Sequence, residues 1–486
     1  MTQATLIHSE PNIGHSDLTA HEIPWIAPFD AAVRLRHQPG FVFLDSSGDD
    51  LQTGRYSFVA HSPFGEFVLR NGIATWCGAV LQGAPLDQLR EILAQWQIAP
   101  DRDGFPFRGG CIGHMSYDLG QYLEKLEQPE IETPTTNDLR LGFYDVVCAF
   151  DRKDRRAVVF SSGFPHRDRA ARAKHADLRL KQTLDLLRAG QSGTVEAAAE
   201  IATTAWQSNF APDDFKDAIE SVRKHILNGD IYQANLTQRF AAQLPEAFDA
   251  WSFYRKLRAM NPAPFSAFLF DGDTTFASSS PERFLSLRNG TVEARPIKGT
   301  IRRDVDPVKD RALAAMLEAS EKDQAENTMI VDLLRNDLSR VCKPGSVDVP
   351  VLCGLETYAS VHHLTSVVRG QLQDGYGAVD LIAACFPGGS ITGAPKIRAM
   401  DIITDLEKVA RGVYCGSIGY IGFDGAMDLS IVIRTAVIGD GKAVVQAGGG
   451  ITLLSDPTQE YEESLTKADR LFAAFAAKSE AVEPCC

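Results

Sequence analysis

Short apolar runs separated by turn residues fill the N-terminal part of the chain, over about residues 24–160. Examples are GFVFLDSSGDD, GRYSFVAHSPFGEFVLRNG and LGFYDVVCAFDRKDRRAVVFSSG. Strand-length apolar runs bounded by Gly, Asn, Asp and Ser are typical of antiparallel strands joined by hairpins. We therefore predict a strand-rich N-terminal region over residues 1–200.

A charged segment, RDRAARAKHADLRLKQTLDLLRAG, comes next and predicts a helix. It is followed by GQSGTVEAAAEIATTA, whose small and polar residues are typical of a linker. We place a domain boundary in this linker and predict a second domain over residues 206–478. The C-terminal tail SEAVEPCC shows no periodicity, and we expect it to be loose.

The second region mixes helical and strand patterns. Apolar residues recur at helical spacing in APDDFKDAIESVRKHILNGD, where Asp213 or Asp214 can cap the helix and Gly229 can end it. DQAENTMIVDLLRNDLSRV and DPTQEYEESLTKADRLFAAFAAK predict two further helices, whereas DIYQANLTQRF, GSIGYIGF, LSIVIRTAVI and AVVQAGGGI predict strands. Because regular βαβ alternation is absent, the pattern favours an α+β fold over a doubly wound sheet.

Composition describes an acidic globular protein. The 486 residues are 44% hydrophobic and 23% charged, with a formal net charge of −14, which disfavours non-specific nucleic-acid binding. No apolar run approaches the ~20 residues that span a bilayer, and the N-terminus lacks the basic start of a signal peptide. The nine cysteines suggest neither a disulfide framework nor a CxxC metal site. We therefore expect a cytoplasmic protein that binds neither nucleic acid nor membranes.

Two pairs of acidic residues lie on the predicted helices. Asp323 and Glu326 are three residues apart, as are Glu460 and Glu463, so each pair lies on one helix face. Like charges at this spacing repel, and a divalent cation would relieve the repulsion if the two helices meet. Carboxylate oxygens without His or Cys favour Mg²⁺. The alternative for either pair alone is a solvated helix face.

The segment CFPGGSITGAPKIRAMD combines glycines with the hydroxyls of Ser390 and Thr392 before a predicted helix. Its GGSITG spacing is similar to that of a P-loop, but Ala394 and Pro395 separate it from Lys396, which argues against a nucleotide-binding loop. The backbone N–H groups of this turn could instead bind a carboxylate. A glycine-rich turn that enters a helix without binding anything is the alternative.

Arginine, glycine and histidine residues mark further candidates. Arg434 shares a predicted strand face with Val432, so if that face points inward the guanidinium needs an anion, either a ligand or a protein carboxylate. Gly448, Gly449 and Gly450 would let a ligand approach the next predicted strand. His363 lies in an apolar segment, and by pattern alone it is more typical of a core histidine.

The segment GGCIGHM is similar to the nucleophile turn of a glutaminase, with Cys111 at its centre. Such a thiol needs a histidine base and a carboxylate that orients it. In the glutaminase pattern an H-x-E triplet follows the cysteine, whereas the triplet of this chain, His8-Ser9-Glu10, precedes it. We therefore predict a structural role for Cys111.

In EARPIKGTIRR, Lys298 stands between residues that stiffen the backbone and a glycine that permits close approach, which suggests a positioned amine. This segment is one of nine that resemble the chorismate-utilising enzymes, in the order in which that family has them: SSSPERF, RPIKGT, AENTMIVDLLRNDLSRV, VHHLTS, FPGGSITGAPKIRAM, CGSIGY, IRT, AGGGI and EYEESLTKA. The resemblance runs over about residues 206–475, and GRYSF, GGCIGHMSYDLG and LGFYDVV extend it more weakly. It implies two antiparallel sheets packed as a sandwich and wrapped by helices.

Within the family, the lysine of PIKGT resembles the branch that forms 4-amino-4-deoxychorismate from chorismate and ammonia, for the p-aminobenzoate of folate. Anthranilate synthases typically carry alanine at that position. The resemblance implies that Lys298 attacks C2 of chorismate as the C4 hydroxyl leaves, that Glu282 protonates this hydroxyl, and that ammonia then opens the adduct at C4. A separate glutaminase subunit would supply the ammonia. An N-terminal pocket around FLDSSGD, which binds tryptophan in relatives, is implied more loosely.

The resemblance also implies the remaining site residues. Mg²⁺ would be held among Asp323, Glu326, Glu460 and Glu463, with Glu326 and Glu463 as direct ligands and Asp323 bound through water. His363 matches an active-site histidine, and the substrate would be bound by Gly299, Thr300, Ser390, Thr392, Tyr414, Arg434, Gly448, Gly449, Gly450 and Lys467. The alternatives are an anthranilate or isochorismate synthase and a non-catalytic regulatory subunit that binds chorismate.

Overall fold

Two antiparallel β-sheets form the framework of the chain. The computed structural model describes residues 18–48, 51–100, 104–130, 136–190, 201–202, 205–358 and 361–476. The strands in these residues are β1 Thr19–Ile23, β2 Val42–Asp45, β3 Tyr56–Ala60, β4 Gly65–Arg70, β5 Ile73–Trp76, β6 Ala79–Val80, β7 Gly110–Met115, β8 Leu139–Tyr144, β9 Val146–Asp151, β10 Arg156–Ser161, β11 Gln207–Ser208, β12 Gln233–Gln243, β13 Phe265–Asp271, β14 Thr274–Ser280, β15 Arg283–Arg288, β16 Thr291–Arg295, β17 Ile297–Arg302, β18 Asp348–Thr357, β19 Val361–Gln371, β20 Gly393–Ala394, β21 Ser417–Gly422, β22 Met427–Ile431, β23 Thr435–Gly439 and β24 Lys442–Ile451.

Helices lie along the outside of the sheets. Those in the described residues are α1 Pro28–Leu35, α2 Pro85–Ala94, α3 Arg169–Ala189, α4 Pro212–Leu227, α5 Ala250–Met260, α6 Pro307–Glu318, α7 Glu321–Ser339, α8 Ala378–Cys385, α9 Lys396–Glu407 and α10 Pro457–Ala476. In this part of the chain, none of them combines the length and apolarity needed to cross a membrane.

Each sheet contains strands from both predicted regions. The first has the order β1-β10-β9-β3-β2-β13-β14-β23-β24-β12-β11, with β20 paired to β12, and the second has the order β17-β19-β16-β15-β22-β21-β7-β8-β4-β5-β6, with β18 paired to β19. The two regions join where β2 pairs with β13 and where β7 pairs with β21. The predicted linker falls largely on residues 191–200, which lie outside the described residues, as do residues 479–486 of the tail.

The two sheets pack face to face, as the resemblance implied. One apolar cluster joins Phe58 and Phe276 of the first sheet to Ile112 and Tyr420 of the second. A second cluster lies between the outer face of the first sheet and helices α1, α3, α5 and α10, and a third lies between the second sheet and α2, α7 and α8. The predicted α+β sandwich wrapped by helices is confirmed.

Two local predictions were wrong. The helix α4 begins at Pro212 after Ala211, so Asp213 and Asp214 lie in its first turn without capping it. A proline suits the first helical position because its missing N–H would have no partner there. The segment LSIVIRTAVI forms two strands, β22 and β23, which belong to different sheets, and Arg434 has a φ of 51° in the crossing between them. Its side chain is therefore not placed by strand alternation.

A buried ion pair fixes the turn that precedes α9 relative to β12. Arg411 Nη2 lies 2.7 Å from Glu407 Oε1, with 2% and 4% of the two side chains exposed. The same guanidinium donates to the backbone oxygens of Ile391 and Asn235. This pair therefore holds the glycine-rich turn containing Ile391 against the first sheet.

We predict that Arg411→Met lowers the free energy of unfolding by about 3–5 kcal/mol, because it leaves the Glu407 carboxylate buried without its cation. Urea denaturation measures the change as a lower transition midpoint. The control is Arg335→Met, which removes an exposed pair with Asp332 and should cost less than about 1 kcal/mol. Equal shifts in the two variants would contradict this role of Arg411.

Candidate active site

The amine of Lys298 and the carboxyl group of Glu282 meet at one residue, Ser390. Lys298 lies in β17 and donates from Nζ to the backbone oxygen of Ser390 at 3.1 Å. The Ser390 hydroxyl donates to Glu282 Oε1 at 2.7 Å, from a short 3₁₀ turn over Gly389–Ile391. Glu282 lies between β14, in the first sheet, and β15, in the second. The sandwich thus brings an amine and a carboxyl group to the same serine, the amine to its backbone oxygen and the carboxyl group to its hydroxyl.

Burial raises the pKa of the Glu282 carboxyl above its ordinary value, since only 6% of the residue is exposed and the charged form is poorly solvated. The Ser390 hydroxyl, the Lys298 ammonium and the Arg434 guanidinium lower this pKa without cancelling the effect of burial. A carboxyl group that keeps its proton to higher pH is suited to act as a general acid.

Three of the predicted metal ligands lie beside the glycines of β24. A Cβ atom built at Gly449 would lie 3.5 Å from Glu460 Oε2 and 3.8 Å from Glu463 Oε1, and one at Gly450 would lie 3.6 Å from Glu326 Oε2. Helix α7 carries Glu326, whereas α10 carries the other two. The missing side chains of these glycines therefore leave space next to carboxylates from two helices.

Asp323, the fourth predicted ligand, faces a different glycine. A Cβ atom at Gly299 would lie 3.0 Å from Asp323 Cγ, and Gly299 has a φ of 82°, which glycine adopts without strain. Asp323 Oδ2 accepts a hydrogen bond at 2.6 Å from the hydroxyl of Ser320, the residue that caps α7. Asp323 thus lies next to the neighbour of Lys298 and also supports the start of the helix.

The donor set fits a hard cation, but the carboxylates do not converge on one point. Glu326 Oε1 is buried and has no hydrogen-bond partner in the described residues, and oxygen ligands of this kind suit Mg²⁺. Within the same residues, no three side chains of His, Cys, Asp or Glu form a group that could hold a metal. Two ammonium groups take carboxylate oxygens instead: Lys322 Nζ lies 3.1 Å from Glu460 Oε1, and Lys467 Nζ lies 2.8 Å from Glu463 Oε1.

Arg434 offers a guanidinium group for an anion. Its side chain makes no hydrogen bond or ion pair within the described part of the chain. Burial, together with the nearby charge of Arg470, lowers the pKa of Arg434 to about 10. Glu282 lies near enough to oppose this shift. A largely desolvated guanidinium without a bonded carboxylate is an attractive site for a ligand carboxylate.

His363 lies next to the residues that follow Lys298, and its role in the site remains a prediction. It pairs with Thr300 across β17 and β19, and its Nδ1 lies 2.7 Å from the Thr300 hydroxyl. Burial, with a contribution from Arg434, lowers the pKa of His363 to about 4. The ring is therefore neutral at physiological pH and is held beside Gly299 and Thr300, the two residues that follow Lys298.

The other predicted substrate residues differ in how available they are. Lys467 donates from Nζ to the backbone oxygen of Gly448 at 2.8 Å, so it lies along the glycine strand. The Thr392 hydroxyl donates within its own turn to the oxygen of Gly388 at 3.0 Å. Tyr414 is buried in an apolar cluster. Substrate roles for Thr392 and Tyr414 remain predictions.

Gln233, which begins β12, was not predicted from the sequence as a site residue. Only 1% of this residue is exposed, and neither polar atom of its side chain has a hydrogen-bond partner in the described residues. A Cβ atom at Gly450 would lie 2.3 Å from Gln233 Nε2, so the amide lies against the glycine strand. The signal in the sequence was the alternation of polar and apolar residues along this segment. Because the strand is buried on both faces, its polar residues are buried as well.

Lys322 was also missed. It lies in the first turn of α7, where the helix dipole disfavours a cation. The signal in the sequence was a lysine at this unfavourable position, directly before Asp323 and four residues before Glu326. Such a lysine is expected to bond to nearby carboxylates.

Cys111 and Lys396 belong to the two motifs that the sequence argued against as reactive sites, the glutaminase-like turn and the P-loop-like turn. Cys111 lies inside β7, is fully buried, and has a pKa that burial raises to about 12, so its thiolate is disfavoured. Lys396 donates to Asp337 Oδ2 at 2.7 Å and to the backbone oxygen of Cys385 at 2.8 Å, away from the turn that is similar to a P-loop. The first placement fits the structural role predicted for Cys111, and the second agrees with the argument against a nucleotide-binding loop.

A cavity of about 340 Å³ lies between the two sheets near the N-terminal motif FLDSSGD. Leu44, Asp45 and Ser46 of that motif line it, together with Pro264 and Phe265. A pocket therefore exists where the resemblance implied one, and its ligand remains a prediction.

Comparison with known proteins connects this geometry to a family. The family described as chorismate binding enzyme matches residues 42–473. The chain belongs to the chorismate-binding enzymes. Aminodeoxychorismate synthase component 1 of Salmonella typhimurium is 38% identical over 464 residues, which cover 93% of this chain and 97% of that protein. Anthranilate synthase component 1 of Aquifex aeolicus is 34% identical over 471 residues, with 94% and 93% covered.

Solved structures of chorismate-binding enzymes share the fold. Anthranilate synthase component I from Streptococcus pneumoniae superposes with a TM-score of 0.77 at 35% identity, covering 86% of this chain and 92% of that one. The menaquinone-specific isochorismate synthase of Escherichia coli gives a TM-score of 0.70 at 20% identity, with 94% of each chain covered, which is evidence for the fold alone.

We predict that Gly449→Ala weakens chorismate binding by at least about tenfold and changes the melting temperature by less than about 2 °C. Its φ is not left-handed, and the added methyl group would lie 3.2 Å from Lys467 Nζ and fill space beside Glu460. Calorimetric titration and thermal denaturation measure the two effects.

The matched variant is Gly448→Ala, whose Cβ would lie 2.1 Å from the backbone oxygen of Leu236 on β12. This variant should lower the melting temperature, since the strand pairing must shift. Unchanged chorismate affinity in Gly449→Ala would show that the space beside this glycine is not part of the site.

Proposed function

We propose that this chain forms 4-amino-4-deoxychorismate from chorismate and ammonia, the activity of an aminodeoxychorismate synthase component I. The observation that carries the proposal is that Lys298 and Glu282 both bond to Ser390, because an amine and a protonated carboxyl group are the two groups that the reaction needs. The relatives named aminodeoxychorismate synthase component 1 from Salmonella typhimurium and Klebsiella aerogenes, at 38% and 39% identity, support it.

In the first step, the unprotonated amine of Lys298 attacks C2 of chorismate. The ring double bonds shift, and the C4 hydroxyl leaves as water with the proton of the Glu282 carboxyl group. In the second step, ammonia attacks C4, the double bonds shift back, and the C2–N bond breaks with its electron pair returning to the amine of Lys298. The new ammonium group at C4 then gives one proton back to the Glu282 carboxylate. The sum of the two steps replaces a hydroxyl by an amino group and returns the lysine. His363, neutral and bonded to Thr300, would orient this part of the site.

The substrate carboxylates would bind on two sides. Arg434 supplies a guanidinium group without a bonded partner in the described residues, and the glycines of β24 permit close approach of the ring. Mg²⁺ would be bound directly by Glu326 and Glu463, with Glu460 next to these ligands and Asp323 bound through water. The ion would neutralise a carboxylate of the substrate. Ser390, which bonds to Glu282, and Lys467, which bonds to the backbone of Gly448, would complete this binding.

Ammonia would come from a separate glutaminase subunit. The buried thiol of Cys111 supports this proposal, because the segment similar to a glutaminase turn has no reactive thiolate here. The product would serve p-aminobenzoate and folate synthesis in the cytoplasm, and the free thiols of the seven cysteines in the described residues suit that reducing compartment. Tryptophan remains a candidate ligand for the cavity between the sheets.

The rival enzymes are anthranilate synthase and isochorismate synthase. Anthranilate synthase is supported by relatives at 34–36% identity, but the resemblance associates that activity with alanine at the position of Lys298. A non-catalytic chorismate-binding subunit is a rival of another class. It would not need an amine and a general acid across one serine. Identification of the product formed from chorismate, Mg²⁺ and ammonium separates all three.

We predict that Lys298→Ala lowers kcat for 4-amino-4-deoxychorismate by at least about 1,000-fold, the scale of losing a residue that acts as part of a catalytic unit. Product formation is followed by mass spectrometry with ammonium as the nitrogen donor, since glutamine should be inert with this chain alone. The exposed Lys224→Ala in α4 is the control and should keep full activity. Unchanged turnover in Lys298→Ala would refute the nucleophile role.

A further inference from the structure

Lys322 stands among the carboxylates of the candidate metal site. Its Nζ donates to Glu460 Oε1 at 3.1 Å, and although partial burial lowers its pKa, the carboxylates of Glu460, Glu326 and Glu463 raise it above the ordinary value. We infer that Lys322 is an internal counter-ion that takes the place of the cation in the metal-free protein and must leave when Mg²⁺ binds. This inference rests on the magnesium site of the proposed function.

The fold needs a cation at this position even without a metal. Glu460 and Glu326 are only 6% and 9% exposed and lie on different helices, and the charge of Glu460 contributes to raising the pKa of the Glu326 carboxyl. Carboxylates that are buried together are destabilising unless an opposite charge compensates them. The ammonium of Lys322 supplies that charge from within the chain, so α7 and α10 can pack before any metal binds.

The same ammonium cannot stay where it is once Mg²⁺ arrives. Mg²⁺ requires oxygens at about 2.0–2.1 Å in octahedral geometry, and the Lys322 ammonium, bonded to Glu460 Oε1, also interacts electrostatically with Glu326 and Glu463, the two carboxylates that would bind the ion directly. Two cations sharing these carboxylates would repel each other at short range.

Lys322 is free to leave, whereas Lys467 is fixed. The Lys322 side chain is 39% exposed, and Glu460 is its one bonded partner in the described residues, so the ammonium can rotate into water. Lys467 also binds Glu463, but a second bond to the backbone oxygen of Gly448 at 2.8 Å holds it along β24. Release of Lys322 therefore accompanies metal binding and weakens it.

The test is calorimetric titration of the full chain, freed of metal with EDTA and dialysed, with MgCl₂ alone. Lys322→Met keeps the apolar stem and removes the charge, and it should bind Mg²⁺ about tenfold more tightly than the parent. The same variant should melt at a lower temperature than the parent in EDTA, and saturating Mg²⁺ should close the difference. Lys322→Arg retains the cation, so its affinity should stay near that of the parent.

The matched control is Lys309→Met, which removes one exposed lysine from the start of α6 and should leave the Mg²⁺ affinity unchanged. Unchanged or weaker Mg²⁺ binding in Lys322→Met would overturn the inference while leaving the proposed reaction in place. A parent protein that binds no Mg²⁺ would overturn both the inference and the proposed metal site. Product analysis with chorismate and ammonium tests the reaction itself.

Discussion

Buried carboxylates that face positive charges across one small space are the constraint on which this structure depends. Glu282, Glu326 and Glu460 are each less than a tenth exposed, and each lies within reach of a lysine. Burial of a carboxylate is unfavourable unless a cation or hydrogen bonds compensate it. The ammonium groups of Lys298 and Lys322 therefore help to stabilise the fold as well as to prepare the site.

The sandwich holds these charges in register. The first sheet contributes the glycine strand β24, the second contributes β17 with Lys298, and Glu282 lies at the crossing between β14 and β15. Helices α7 and α10 bring Glu326, Glu460 and Glu463 beside neighbouring glycines of β24 from outside the sheets. Because the elements come from distant parts of the chain, a rigid framework is required to keep a 2.7 Å contact such as that between Ser390 and Glu282.

Local pattern was sufficient for part of this arrangement. The spacing of Asp323 and Glu326 on α7, and of Glu460 and Glu463 on α10, is a property of single helices, and the structure has both helices. The path of Arg434 could not be predicted from alternation, because its position depends on two sheets that the chain links at that point. Gln233 and Lys322 were missed for a related reason: their partners lie on other elements, so tertiary contacts alone reveal what they do.

The central claim is that the amine of Lys298 becomes covalently attached to the ring when the acid across Ser390 releases water. Intact-protein mass spectrometry, after incubation with chorismate and Mg²⁺ without ammonia and an acid quench, tests it most directly. The account predicts an added mass equal to chorismate minus one water, located by peptide mapping on Lys298. No added mass, or the same mass on another residue, would contradict it.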